Sequence, residues 1–183
     1  MQKKTFILLT STILTLSFIW IAITPLLFPV QGTTENNVAP HQGFFAPEFT
    51  LQTPTGETHS LSDYNGPVLV FLWASWCSVC KRTMPDLQSV YEEFNPKGFE
   101  ILAINTTFQD SLSNATDYFQ SKGYTFTFLL DMTGDVSRKY QLHALPTSVL
   151  ISPEGVVIDV LIGSGLSEGI LSAHLNDILG ESE

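Results

Sequence analysis

The chain has 183 residues, 44% of them hydrophobic and 14% charged, with a formal net charge of −10. That length fits one folded domain with an appendage, and the apolar share excludes wholesale disorder. With 8 Lys and Arg against 18 Asp and Glu, nucleic-acid binding is excluded, because neutralising phosphates takes clustered basic residues.

Lys3 and Lys4 precede 24 uncharged residues, Thr5 to Phe28, of which 16 are apolar. As a helix this stretch would be about 36 Å long, enough to cross a hydrocarbon core of about 30 Å. Trp20 and Phe28 suit the far headgroups, and the two lysines hold the N-terminus in the cytoplasm. A cleaved signal peptide ending near Gly32 is the competing reading. The stretch exceeds the usual signal core of roughly 7–15 residues and lacks an A-x-A site, so an uncleaved anchor over residues 1–28 is favoured. Either reading exports the remainder, which carries 6 basic residues against all 18 acidic ones, a net of −12.

Residues 29–43 contain Gly, Thr, Asn and Pro without apolar periodicity and are read as a linker to a domain over 44–183. Phe49-Thr50-Leu51 predicts a short strand, followed by a turn at Pro54-Thr55-Gly56 and an extended run to Leu61. Val68 to Trp73 is a continuous apolar run, the pattern of a strand buried on both faces. Apolar residues at Met84, Leu87, Val90, Tyr91 and Phe94 make a helical stripe that Asn95-Pro96-Lys97-Gly98 ends. A second buried strand follows over Phe99 to Ile104, then a helix from Ser111 to Lys122. Tyr124 to Leu130 leads to a loop at Asp131, and Asp135 to Tyr140 predicts a short helix. Thr147 to Ile151 and Val156 to Leu161 form a hairpin around Ser152-Pro153-Glu154-Gly155. A closing helix runs from Leu166 to Leu179. The order implies an α/β fold, a central mixed sheet with helices on both faces.

The chemistry sits at Trp76-Cys77-Ser78-Val79-Cys80, directly after a buried strand and at the start of a helix. The chain has 2 cysteines and 4 histidines, with no ligand spacing among the histidines, so no metal site is expected. A helix N-terminus stabilises a thiolate on the first cysteine, and a second cysteine one turn on lies within reach of a disulfide. Cys77 is thus the expected nucleophile and Cys80 the thiol that resolves a mixed disulfide. A purely structural bridge is the plainer alternative, but so short a loop gains little stability from closure. Trp76 is expected beside Cys77 at the surface, Trp73 in the core, and His143 as a loop residue.

Ala46-Pro47-Glu48-Phe49, Val70 through Cys80, Met84-Pro85 and Leu145-Pro146-Thr147 together resemble the thioredoxin superfamily. Within it the chain is similar to the membrane-anchored TlpA/ResA-like thiol-disulfide oxidoreductases of bacteria, over roughly residues 44 to 180. The resemblance implies a thioredoxin-like fold, a redox-active Cys77–Cys80 disulfide, and a cis-proline, Pro146, facing the dithiol. Trp76, Leu145 and Pro146 are the substrate-binding residues it implies, the proline loop pairing with a substrate chain by local strand addition. It also implies a monomer without cofactor, tethered to the bacterial cytoplasmic membrane through residues 5–28, with the domain extracytoplasmic. The implied partners are protein disulfide substrates, among them apocytochrome c in cytochrome c maturation, and a membrane-embedded thiol electron donor.

The chain departs from the pattern in ways that bear on proton transfer. Ser78-Val79 stands where thioredoxin has Gly-Pro and ResA-like proteins often Glu-Pro. Thioredoxin keeps a buried Asp six residues before the first cysteine; that position is Phe71. ResA-like proteins place a Glu three residues after the second; that position is Thr83. Lys81, Arg82 and Asp86 read as solvent-facing, so no carboxylate is assigned to the Cys80 proton. Two other functions stand as alternatives. Sco-like copper delivery uses C-x-x-x-C, one residue longer than here. A thiol peroxidase places Thr three residues before its reactive Cys, where this chain has Ala74.

Overall fold

The computed structural model of the protein describes residue 20 and residues 37–180. The expected anchor over 5–28, but for Trp20, and the possible cleavage point at Gly32 fall outside them. Among the described residues no helix is long and apolar enough to cross a membrane.

Seven strands form one sheet: β1 (Thr50–Gln52), β2 (Thr58–Ser60), β3 (Val68–Trp73), β4 (Glu100–Asn105), β5 (Thr127–Leu130), β6 (Thr147–Ile151) and β7 (Val157–Ile162). Their spatial order is β2-β1-β5-β4-β3-β6-β7. β4 runs parallel to both β3 and β5, and the outer pairings are antiparallel. Among residues 37–180, four α-helices accompany it: α1 (Ser78–Phe94), α2 (Leu112–Lys122), α3 (Asp135–Lys139) and α4 (Glu168–Leu179).

β3 lies near the middle of the sheet, between β4 and β6, and all six of its side chains are buried. Alternation splits them between two layers. Leu69, Phe71 and Trp73 pack with Met84, Leu87, Val90 and Phe94 of α1 and with residues of α2 and α4. Val68, Val70 and Leu72 pack on the other side with Val136 and Tyr140 near α3. The expected stripe of α1 is therefore its core face. Pro85, inside α1, removes the N–H that would bind the carbonyl of Lys81. The hydroxyl of Tyr118 on α2 donates to that carbonyl at 3.4 Å, so the break is covered by a neighbouring element. Gly98 ends this region in the left-handed conformation, and its carbonyl lies so close to Gly66 that a Cβ there would collide with it.

One segment differs from expectation. Residues 37–43, read as part of a linker, belong to the domain, which begins at Asn37. Phe45 donates to the carbonyl of Asn37 at 2.9 Å, and Gly43 donates to that of Val157 at 2.9 Å, covering the start of the β7 edge. The run from Tyr124 pairs only over Thr127–Leu130. Tyr124 and Phe126 pack their rings on Phe119 of α2 instead, with centroids 5.5 and 5.2 Å away.

Candidate redox site

β3 delivers the chain to the upper end of the sheet, where Cys77 donates its N–H to the carbonyl of Ala74 at 3.1 Å and turns it into α1. Cys77 is the N-cap of that helix. Its Sγ accepts the N–H of Cys80 at 3.1 Å, the bond that a Ser or Thr oxygen makes at an ordinary N-cap. The partial positive charge of the helix start thus falls on this sulfur. Cys77 and Cys80 are joined as a disulfide with Cα atoms 5.3 Å apart. Cys77 retains 6% exposure and Cys80 none.

The loop ahead of the pair is held from outside. Asp110 accepts the Ser75 N–H at 2.5 Å, the Ser75 hydroxyl at 2.6 Å, the Asn105 amide at 2.8 Å and the Ser111 N–H at 2.8 Å. Burial alone would raise its pKa. The hydrogen bonds from Asn105, Ser75 and Ser111 outweigh that and hold the carboxyl below the usual aspartate range. Asn105, fully buried at the end of β4, also donates to the carbonyl of Trp73 at 3.4 Å. Neither Asp110 nor Asn105 was recognised from sequence. An Asn ending an apolar strand was the one available signal.

Trp76 is 61% exposed, and its indole N–H donates to the carbonyl of Gln109 at 3.3 Å. Trp73 is buried, as expected. The Leu145–Pro146 bond is cis. Pro146 is buried, and Leu145 is half-buried at the junction of both apolar layers. A cavity of about 740 Å³ opens beside them, lined among others by Trp76, Phe108, Gln141, His143 and Leu145. His143, in a loop as expected, lines the same cavity as Trp76 and Leu145. Gln141 has φ 48°, left-handed backbone in a residue with a Cβ.

Phe71 packs in the same buried cluster as the two cysteines. The Thr83 hydroxyl is buried and donates to the carbonyl of Val79 at 3.2 Å. Lys81 and Arg82 are exposed and Asp86 is half-buried. Among the described residues no group of three or more His, Cys, Asp or Glu side chains is placed to hold a metal ion.

A model of the AhpC/TSA family matches residues 43–160. The chain is 33% identical over 136 residues to the thiol-disulfide oxidoreductase ResA of Bacillus subtilis (strain 168), covering 74% of each protein. It resembles the crystal structure of a candidate thiol:disulfide interchange protein DsbE from Chlorobium tepidum, with a TM-score of 0.70 and 29% identity, over 76% of this chain and 99% of that one. It also resembles the thioredoxin domain of a thiol-disulfide oxidoreductase from Bacteroides vulgatus, with a TM-score of 0.66 and 27% identity, over 74% and 99%.

Proposed function

The chain belongs to the AhpC/TSA family and is a thiol-disulfide oxidoreductase of the thioredoxin-like fold, and from that premise we propose that it is a membrane-tethered reductase of protein disulfides on the outer face of the cytoplasmic membrane. Cys77 thiolate attacks a substrate disulfide and forms a mixed disulfide, releasing one substrate thiol. Cys80 then attacks the Cys77 sulfur and releases the second, leaving the Cys77–Cys80 disulfide. A membrane-embedded thiol donor reduces the pair again.

The asymmetry of the two sulfurs carries this reading. Cys77 caps the helix and keeps contact with solvent, whereas Cys80 lies behind it with no exposure. A thiolate is stabilised at the reachable sulfur, and the resolving thiol is protected from competing partners. The exposed indole of Trp76 and Leu145 line one cavity and give an extended substrate segment an apolar seat, with the cis-proline Pro146 next in the chain. Lys3, Lys4 and the uncharged run 5–28 support the tether and its orientation. The likeness to ResA-like proteins supports apocytochrome c cysteines as substrates.

Cys80→Ser is the direct test, because it leaves the attack intact and removes the resolution. It is expected to trap substrate proteins on Cys77 as mixed disulfides that dithiothreitol releases. Trapping by Cys77→Ser instead, through Cys80, would reverse the assigned roles.

A further inference from the structure

Resolution requires Cys80, which has no exposure, to lose a proton inside the protein. Asp131 is the buried carboxylate among the described residues, and it is occupied by Ser137 and Val136 near α3. Asp110 is committed to Ser75, Asn105 and Ser111. The Thr83 hydroxyl gives its proton to Val79. Exposed Lys81 and Arg82 and half-buried Asp86 are the charged groups that α1 contributes near the pair.

Two buried side-chain polar atoms among the described residues make no hydrogen bond: Trp73 Nε1 and Ser148 Oγ. The Trp73 indole is surrounded by the rings of Tyr118, Phe119 and Phe128, at 6.0, 6.2 and 5.6 Å. Ser148 is placed differently. It lies on β6 directly opposite Phe71 of β3 in an antiparallel register, and directly opposed residues point to the same face of a sheet. Phe71 is in the layer that holds Cys77 and Cys80, whereas Val149, the next residue of β6, is in the other layer. Ser148 also follows Pro146 by two residues, one period of a strand. It is 2% exposed. Its hydroxyl is therefore on the dithiol side of the sheet, next to the side chain that fills the place of thioredoxin's aspartate. A buried hydroxyl without a partner is unfavourable, and it both donates and accepts.

We propose that Ser148 is a positioning residue for the resolution step, holding through its hydroxyl a water molecule that takes the Cys80 proton. This rests on the oxidoreductase reading above. The Cys80 S–H bond breaks, and its proton passes to that water and on to solvent. The electron pair left on Cys80 forms the bond to Cys77 as the bond between Cys77 and the substrate sulfur breaks. The leaving sulfur keeps that bond's electron pair and takes a proton from solvent.

The test uses the reduced full-length protein and 5,5′-dithiobis(2-nitrobenzoate). Attack by Cys77 releases one thionitrobenzoate, and resolution by Cys80 releases the second. Ser148→Ala is expected to slow the second release about tenfold, and to move its pH midpoint upward by about one unit, with the first release unchanged. Ser148→Thr is expected to stay within about twofold of the wild type, while Ser148→Val, isosteric with Thr, behaves like Ala; this pair serves if Ala fails to fold. Wild-type second-phase rates and pH midpoint in Ala and Val would overturn the proposal alone. A wild type that releases only one thionitrobenzoate would overturn the oxidoreductase reading and the proposal with it.

Discussion

Asp110 holds Ser75 by both its backbone N–H and its hydroxyl, across 35 residues of sequence. Ser75 is two residues from Cys77, so the end of the β4–α2 connection, just before the Ser111 N-cap, braces the turn that presents the dithiol. The same carboxylate ties in Asn105 at the end of β4, which links the two central parallel strands at the end where the chemistry lies.

Asp110→Ala removes four accepted hydrogen bonds from a partly exposed carboxylate, and a loss of about 2 kcal/mol in unfolding free energy is expected after allowing for solvent. Urea unfolding with the disulfide intact measures it. The folded pKa is lowered, so this stability is present above the unfolded pKa, near 3.9. It is lost as the pH falls through the folded value. Asp110→Asn is expected to remove that part of the acid slope. An unchanged slope would show that the brace carries no linkage.

Glu100 has the opposite sign. It accepts from the hydroxyls of Tyr91 at 3.3 Å and Thr127 at 3.2 Å and from the Ile101 N–H at 3.1 Å. Burial raises its pKa, and these bonds only partly offset the rise. Its protonated form therefore stabilises the fold at low pH, and that contribution is lost as the pH rises through the folded value. Glu100→Gln is expected to stabilise the protein at pH 7 and to flatten the slope above about pH 4.5. Equal destabilisation at both ends of that range would contradict the sign.

Gln141 occupies the left-handed position after α3. Its N–H donates to Arg138 at 3.0 Å and that of Leu142 to Ser137 at 2.9 Å, the pairing that usually places glycine there. Gln141→Gly relieves the Cβ clash and should raise stability by about 1 kcal/mol, or roughly 3 °C in Tm. Calorimetry of the two proteins decides it. A fall in Tm would mean that the side chain contributes more than its backbone strain costs.

What could be read ahead of the structure was local. Val68–Trp73 was legible because an apolar run bounded by Pro67 and a turn has few alternatives, and α1 because its stripe keeps a helical period. The Cys77–Cys80 disulfide was legible because two cysteines one helical turn apart lie within reach of each other. The Asp110–Ser75 brace was not, since no periodicity joins residues so far apart. Gln141 hid for a different reason: a left-handed cap is announced by Gly or Asn, and neither stands there. Ser148 was invisible within a strand pattern, because only the register with Phe71 shows which layer it enters. The segment 37–43 has a loop's composition and folds against β7 through backbone groups that composition does not report.

If the Cys77–Cys80 pair works as a reductant, its reduction potential must be low. The full-length protein is equilibrated in redox buffers of known potential, and the fraction of free thiol is followed. A value near or below about −250 mV, toward the thioredoxin end of the scale, is expected of a reductant. A value above about −180 mV would contradict it and make the pair an oxidant or isomerase.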